Sequence, residues 1–273
     1  MVTHYRHTTL FYILATVFPW SFWFIAGYFS HLDDSYMNLA SIFAFIGLLS
    51  PVVVAYWLTA KNPELKKDLF SRFFNFKSIK PIYILLTLFL MPISILSAQA
   101  VSLLFGYSVS QFVITGNYTF SSGVFPVLFL LIVAPIIEEL AWHSYATDAL
   151  RNRFNLFNTS MIFGLFWGIW HIPLSSINHY YQNNLIDTGW IHGVNFLVSI
   201  FPFVIIMNWL YYKTQRNIIV PIIFHITAGY FNEIFATHPD SKVIQTAILI
   251  VVAVIIVVKN RPYFFTNRFD VMG

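Results

Sequence analysis

Two adjacent carboxylates, Glu138 and Glu139, interrupt one of the most apolar stretches of the chain, VFPVLFLLIVAPIIEELAWH from Val124 to His143. A carboxylate in the middle of a bilayer is disfavoured by about 2.5–3.5 kcal/mol. A second one beside it adds like-charge repulsion unless one is protonated or paired. Such a pair points to chemistry or transport within the membrane. Two histidines have similar settings: His171 in FWGIWHIP and His225 in VPIIFHITAG. A glutamate and a histidine can bind and polarise a water while a second histidine donates to a developing oxyanion, which suffices for peptide hydrolysis. Glu138, His171 and His225 also form a possible ligand set for a divalent metal such as zinc, although no His-Glu-x-x-His helix is present.

The spacing assigns the two carboxylates different jobs. Glu139 and His143 are four residues apart and share a helix face, whereas Glu138 points about 100° away. One acid can therefore be paired within the helix while the other faces a cavity. His143 reads as the partner of Glu139. A single histidine in a spanning helix is most often an interhelical hydrogen bond, so the argument rests on the set and not on either His171 or His225 alone. His179 and His192 fall at or near the outer surface and read as solvated or interfacial. Asn232 and Glu233 end the run that carries His225, and Asn195 and Asn208 lie on the run before it.

These residues need a membrane scaffold. The chain is 58% hydrophobic and 10% charged, against about 25% charged in soluble domains, so it reads as an all-α polytopic membrane protein. Eight apolar runs approach the ~20 residues a bilayer requires: about 10–29, 39–59, 81–105, 124–148, 156–175, 191–212, 218–235 and 243–258. If they alternate, all lysines and arginines except Lys242 fall on one side, including Arg6, Lys66, Lys67, Arg72, Arg151, Arg216, Lys259, Arg261 and Arg268. The positive-inside rule then makes both termini cytoplasmic. The basic, aromatic link from Ala60 to Lys80 reads as an interfacial helix. No cysteine is present, which excludes disulfides. The first run lacks a small-residue cleavage site and reads as a span. Nothing divides residues 1–273 into separate domains, and no nucleic-acid partner is expected. By helical rise, Glu138 and His171 lie near mid-membrane and His225 shallower, a gap that breaks at Pro135, Pro173 or Pro221 would have to close.

The order Glu138-Glu139, then Trp167-x-x-x-His171, then His225 on a later span resembles the CPBP (CAAX protease and bacteriocin-processing, or Abi) family, which includes the type II CAAX prenyl endopeptidases. The resemblance covers about residues 124–235. It implies an intramembrane endopeptidase with a helical core of about eight spans and no required metal. Carried over by position, Glu138 is the water-activating base, Glu139 its accessory, His171 a water-holding group and His225 part of an oxyanion hole. Three positions depart from the family motifs: His143 stands where the family has arginine, Trp167 where it has phenylalanine, and Gly229 where it has asparagine or aspartate. Loss of an oxyanion donor lowers rates by about 10²–10³. Asn232, seven residues past His225, and Asn195 are the available replacements.

The expected substrate is a membrane-associated peptide or protein, either a bacteriocin or signal-peptide precursor or a lipidated C-terminus, handled in a lipid environment. The default location is a bacterial plasma membrane. Gly229 and His143 leave open a catalytically silent member that acts as a binding or immunity protein. Intramembrane Glu and His also leave open a proton-coupled transporter. The hydrolase reading requires Glu138, His171 and His225 to meet at one hydrated pocket, expected to open toward the cytoplasmic half of the bilayer.

Overall fold

A computed structural model describes residues 4–116 and 118–266. Its helices are α1 (Thr8–Ser30), α2 (Met37–Ala60), α3 (Pro63–Phe73), α4 (Pro81–Ser102), α5 (Val127–Ala141), α6 (Thr147–Arg151), α7 (Leu156–Trp170), α8 (Tyr181–Thr188), α9 (Trp190–Lys213), α10 (Ile219–Ile234), α11 (Pro239–Lys259) and α12 (Arg261–Phe265). Among the described residues the only β-pairing is an isolated bridge between Ile114 and Phe235. The protein is all-α and polytopic. Arg268 lies outside the described residues.

Among the described residues, six helical stretches are long and apolar enough to cross a membrane: Thr8–Ser30, Asp34–Ala60, Pro81–Phe105, Val127–Arg151, Trp190–Lys213 and Pro239–Lys259. The expected fifth and seventh runs are shorter. α7 has 15 residues and gives way to a 3-10 turn over Ile172–Ser176. Pro173 lies in that turn and has no N–H to continue an α-helical ladder. The chain then bends by 84° into α8, through His179 at φ 63°. α10 has 16 residues and ends where Phe235 turns extended. α10 is inserted among α4, α5 and α9, and α7 packs along α9. The two short helices are thus flanked by long ones.

The link between α2 and α4 forms an amphipathic helix, α3. Asn62 caps it by accepting from the backbone N–H of Glu64 and Leu65, and Pro63 opens its first turn, both standard helix-start devices. Lys66 and Lys67 are exposed, whereas Asp68 and Arg72 are buried. Arg216 donates to Asp68 at 2.9 and 2.7 Å and to Asp148 at 2.5 Å. Arg72 donates to Asp148 at 2.9 Å. Burial opposes charge on Asp68, but the Arg216 hydrogen bond and the nearby Arg72 charge outweigh it and hold the carboxyl below the ordinary range. The contribution of that group to stability is present above the unfolded carboxyl pKa of about 3.9 and is lost as pH falls below it.

Between α5 and α6 the helix widens into a π segment, Trp142–Ala146. π turns leave carbonyls without their usual i+4 donors. Arg72 reaches across to donate to the His143 and Ser144 carbonyls, at 2.8 and 2.9 Å, and the Tyr211 hydroxyl donates to the His143 carbonyl at 2.9 Å. The surface helix α3 thereby stabilises the turn that immediately follows Glu138 and Glu139.

The absence of cysteine makes the charge-based orientation directly measurable. Lys67→Cys and Asp187→Cys place single thiols at exposed positions on opposite ends of the fold. A membrane-impermeant maleimide applied to intact cells is expected to label Asp187→Cys and to reach Lys67→Cys only after lysis. The reverse pattern would invert the assigned orientation.

Candidate active site

Glu138 and Glu139 sit in the last turn of α5, both buried. One oxygen of Glu138, Oε2, accepts from two indole N–H groups, Trp167 at 3.0 Å and Trp142 at 3.3 Å. Indole nitrogens only donate, so the two rings fix the carboxylate and leave Oε1 as the oxygen available to the adjacent cavity. Trp142 follows Glu138 by four residues on the same helix face. That spacing is visible in the sequence, but a tryptophan in a spanning segment reads first as a lipid-facing side chain.

Glu139 is enclosed by histidines. Its Oε1 pairs with His225 Nδ1 at 2.8 Å, and its Oε2 pairs with His143 Nδ1. The Nε2 of His143 meets Asn208 Oδ1 at 3.0 Å, and the Asn208 amide donates to Ser160 at 3.0 Å. Asn208 and Ser160 had no assigned role from sequence, because nothing in their spacing shows that α7 and α9 bring them together behind His143. A buried carboxylate held between two imidazoles satisfies the need to pair an intramembrane charge.

His171 caps the end of α7. Its Nδ1 lies 2.7 Å from the Trp167 carbonyl. A carbonyl only accepts, so Nδ1 carries the proton and Nε2 presents a lone pair. For His225 the Glu139 carboxylate behind Nδ1 fixes that nitrogen as a donor, and Nε2 is the free end. The Trp167 ring lies between the three groups, with centroids 5.5 Å from His171 and 5.2 Å from His225. The proposed Phe-to-Trp departure therefore supplies both a wall and a donor to Glu138.

Glu138, His171 and His225 all line one cavity of about 290 Å³. Its other end is formed by Asn232, Glu233, Lys242, His192 and Asn195. These residues belong to the ends of α9, α10 and α11 opposite those carrying Lys213, Arg216 and Lys259. The cavity therefore extends from Glu138 toward the end opposite the basic one, whereas the sequence led to the expectation of an opening toward the basic end. On that side Glu139, His143 and Asn208, followed by the Arg72–Asp148–Arg216 cluster, fill the space. His192, read from sequence as solvated or interfacial, lines the cavity at the end opposite the basic one.

The asparagines do not replace the missing motif residue. α10 is regular from Ile219 to Ile234, so Asn232 stands about 10 Å along the axis from His225. Its amide donates to the Ala228 carbonyl at 2.9 Å. The Asn195 amide faces the Lys242 carbonyl at 3.4 Å. Gly229 lines the cavity, and a Cβ added there would meet only Leu131 Cδ2, at 3.7 Å. Among the described residues no three His, Asp or Glu side chains are grouped as ligands of one metal ion, Glu138, His171 and His225 included.

Residues 120–231, which contain Glu138, Glu139, His143, Trp167, His171 and His225, match the family model described as type II CAAX prenyl endopeptidase Rce1-like. A curated relative from Methanococcus maripaludis, named CAAX prenyl protease 2, is 38% identical over 268 residues, covering 97% of this chain and 98% of its own length. The chain belongs to the type II CAAX prenyl endopeptidase, Rce1-like family, and is a protease.

Proposed function

We propose that the protein hydrolyses a peptide bond near the C-terminus of a lipid-modified peptide or protein in the plasma membrane, using a water activated by Glu138. The observation that carries this reading is the fixation of Glu138 Oε2 by two indoles beside a cavity that also receives His171 and His225. Glu138 takes a proton from water, and the oxygen of that water adds to the scissile carbonyl carbon. His171 Nε2 accepts a hydrogen bond from the other O–H of that water, which stays bonded to its oxygen, and so aims the oxygen lone pair. His225 acts as an imidazolium, with Nδ1–H donating to Glu139 and Nε2–H donating to the carbonyl oxygen as it becomes an oxyanion, and the Glu139 carboxylate balances its positive charge. Collapse breaks the C–N bond, and the Glu138 proton passes to the leaving amine. The name of the relative favours a lipidated C-terminus over a bacteriocin precursor. Membership of a protease family removes the basis for a proton-coupled transporter.

One observation favours a slow enzyme or a silent, partner-binding member: the oxyanion has His225 as its donor, with glycine at 229 and both nearby asparagines engaged elsewhere. The two readings separate on one variant. Glu138→Gln keeps the indole contacts and the fold and removes the base. Its expected effect is a loss of at least ~10³-fold in cleavage of a quenched prenylated peptide, with melting temperature in detergent unchanged. Equal turnover by variant and parent would end the hydrolase mechanism; an unaltered cellular phenotype in the variant would favour the silent member.

Gly229→Asn is expected to raise kcat by about 10–100-fold, below the full value of an oxyanion donor because the new amide must find its own geometry. The space around Gly229 admits the side chain. A rate unchanged or lowered in a folded variant would show that this position does not face the oxyanion. Because no step above runs through a metal, dialysis against EDTA followed by assay is expected to leave the rate unaltered, and loss restored by zinc would overturn that part of the mechanism.

A further inference from the structure

The amphipathic helix α3 has two opposed faces. With Lys66 set at zero and about 100° of rotation per residue, Phe70 falls at about 40°, Phe74 at about 80° and Lys67 at about 100°, whereas Asp68 and Arg72 fall at about 200° and 240°. The second face is locked into the bundle through Asp148, Arg216 and the carbonyls of the π turn. The first is open. Lys66 and Lys67 are exposed, and Phe70 and Phe74 are 63% and 75% exposed. The acid at the margin of this face, Glu64, is paired with His4 at 2.7 Å. In the turn that follows, Phe76 is 52% exposed and Lys77 is exposed beside it. Bare phenylalanines bracketed by lysines, at the end of the bundle that collects the basic residues, suit a membrane surface. The rings enter the acyl boundary while the ammonium groups reach up to the headgroups. A zwitterionic headgroup offers those ammonium groups no net charge; an anionic one does.

The two faces are joined by single residues. Arg72 supplies the donors to the His143 and Ser144 carbonyls, immediately after Glu138 and Glu139. Its own carbonyl accepts from the Ile218 N–H at 3.2 Å, at the start of the helix that carries His225. An outward shift of α3 would release both contacts. A lipid that binds only the seated helix favours that state by its own binding free energy. We propose that the outer face of α3 binds anionic lipid headgroups in the leaflet at the basic end, and that this contact keeps Arg72 on the π turn, so that lipid charge sets the activity. The inference rests on the hydrolase reading above only for its turnover readout.

The test uses the full chain in nanodiscs of phosphatidylcholine alone or in equal mixture with phosphatidylglycerol. Phosphatidylglycerol is expected to raise kcat on a prenylated peptide by about 5–25-fold, from about fivefold for each lysine beside an anionic surface. It is also expected to raise the melting temperature, and both gains are expected to shrink in high salt. Lys66→Gln with Lys67→Gln is expected to abolish the two gains and to leave the rate in phosphatidylcholine unchanged. Lys259→Gln with Arg261→Gln removes the same charge from exposed positions on α11 and α12 and is expected to keep them. This second pair separates a site on α3 from a general effect of membrane charge on the bundle or on substrate partitioning. Equal behaviour in the two lipids, gains kept in the α3 pair, or gains lost equally in the control pair would overturn the proposal. A melting-temperature gain without a gain in kcat would overturn the coupling to the active site. A melting-temperature gain that the α3 pair loses, with no Glu138-dependent cleavage in either lipid, would instead uphold the lipid site and count against the hydrolase reading alone.

Discussion

The interaction on which the rest depends is the buried Glu139 carboxylate held between His143 on its own helix segment and His225 on α10. A lone carboxylate at this depth would be displaced toward water or neutralised. Two imidazoles, one of them backed by Asn208 and Ser160, pair it within the bundle. The pairing also sets the orientation of His225 and joins α5 to α10 at the level of Glu138. Glu139 is therefore a positioning group as much as an electrostatic one, and Glu138 is left to face the cavity because its neighbour has absorbed the local partners.

Much of this was legible before any coordinates. The four-residue spacing from Glu139 to His143 gave the internal pair, and of the three prolines at which a break was expected, Pro173 lies in the turn that follows α7, whereas Pro135 and Pro221 lie within α5 and α10. What was hidden has a common physical cause: it depends on which helices touch. Asn208 and Ser160 lie on different elements, and no local pattern announces that they meet behind His143. Trp142 was visible at the right spacing from Glu138, but aromatic residues are so abundant in this chain, 19% of it, that their composition dilutes the signal. The eight apolar runs were legible as apolar; that the fifth and seventh form helices of only 15 and 16 residues was not, because α7 gives way to the turn at Ile172–Ser176 while still exposing Ile162, Leu165 and Ile169, and α10 is enclosed by α4, α5 and α9.

Direction was the other hidden property. Charge sorting along the sequence says which ends of the helices are alike, but not toward which end an internal space widens. That depends on how completely each end is filled. One end holds two arginines, two aspartates and three tyrosines in mutual contact, Tyr5, Tyr211 and Tyr212 among them. Among the described residues the other holds the Lys242–Glu233 pair and the Asp240 carboxylate near His192 and His238. A dense ionic network excludes a substrate more effectively than an apolar plug, because opening it would strand several buried charges at once.

The π turn after Glu139 has a consequence for how much of the polypeptide the chemistry needs. Its two open carbonyls are satisfied by Arg72, which lies nearly fifty residues upstream of where the family match begins. An excised fragment spanning only that matched stretch would expose those acceptors to hydrocarbon and strip Asp148 of one counter-ion. The amino-terminal third is thus a structural cofactor of the protease core in all but the covalent sense, and the core is not autonomous.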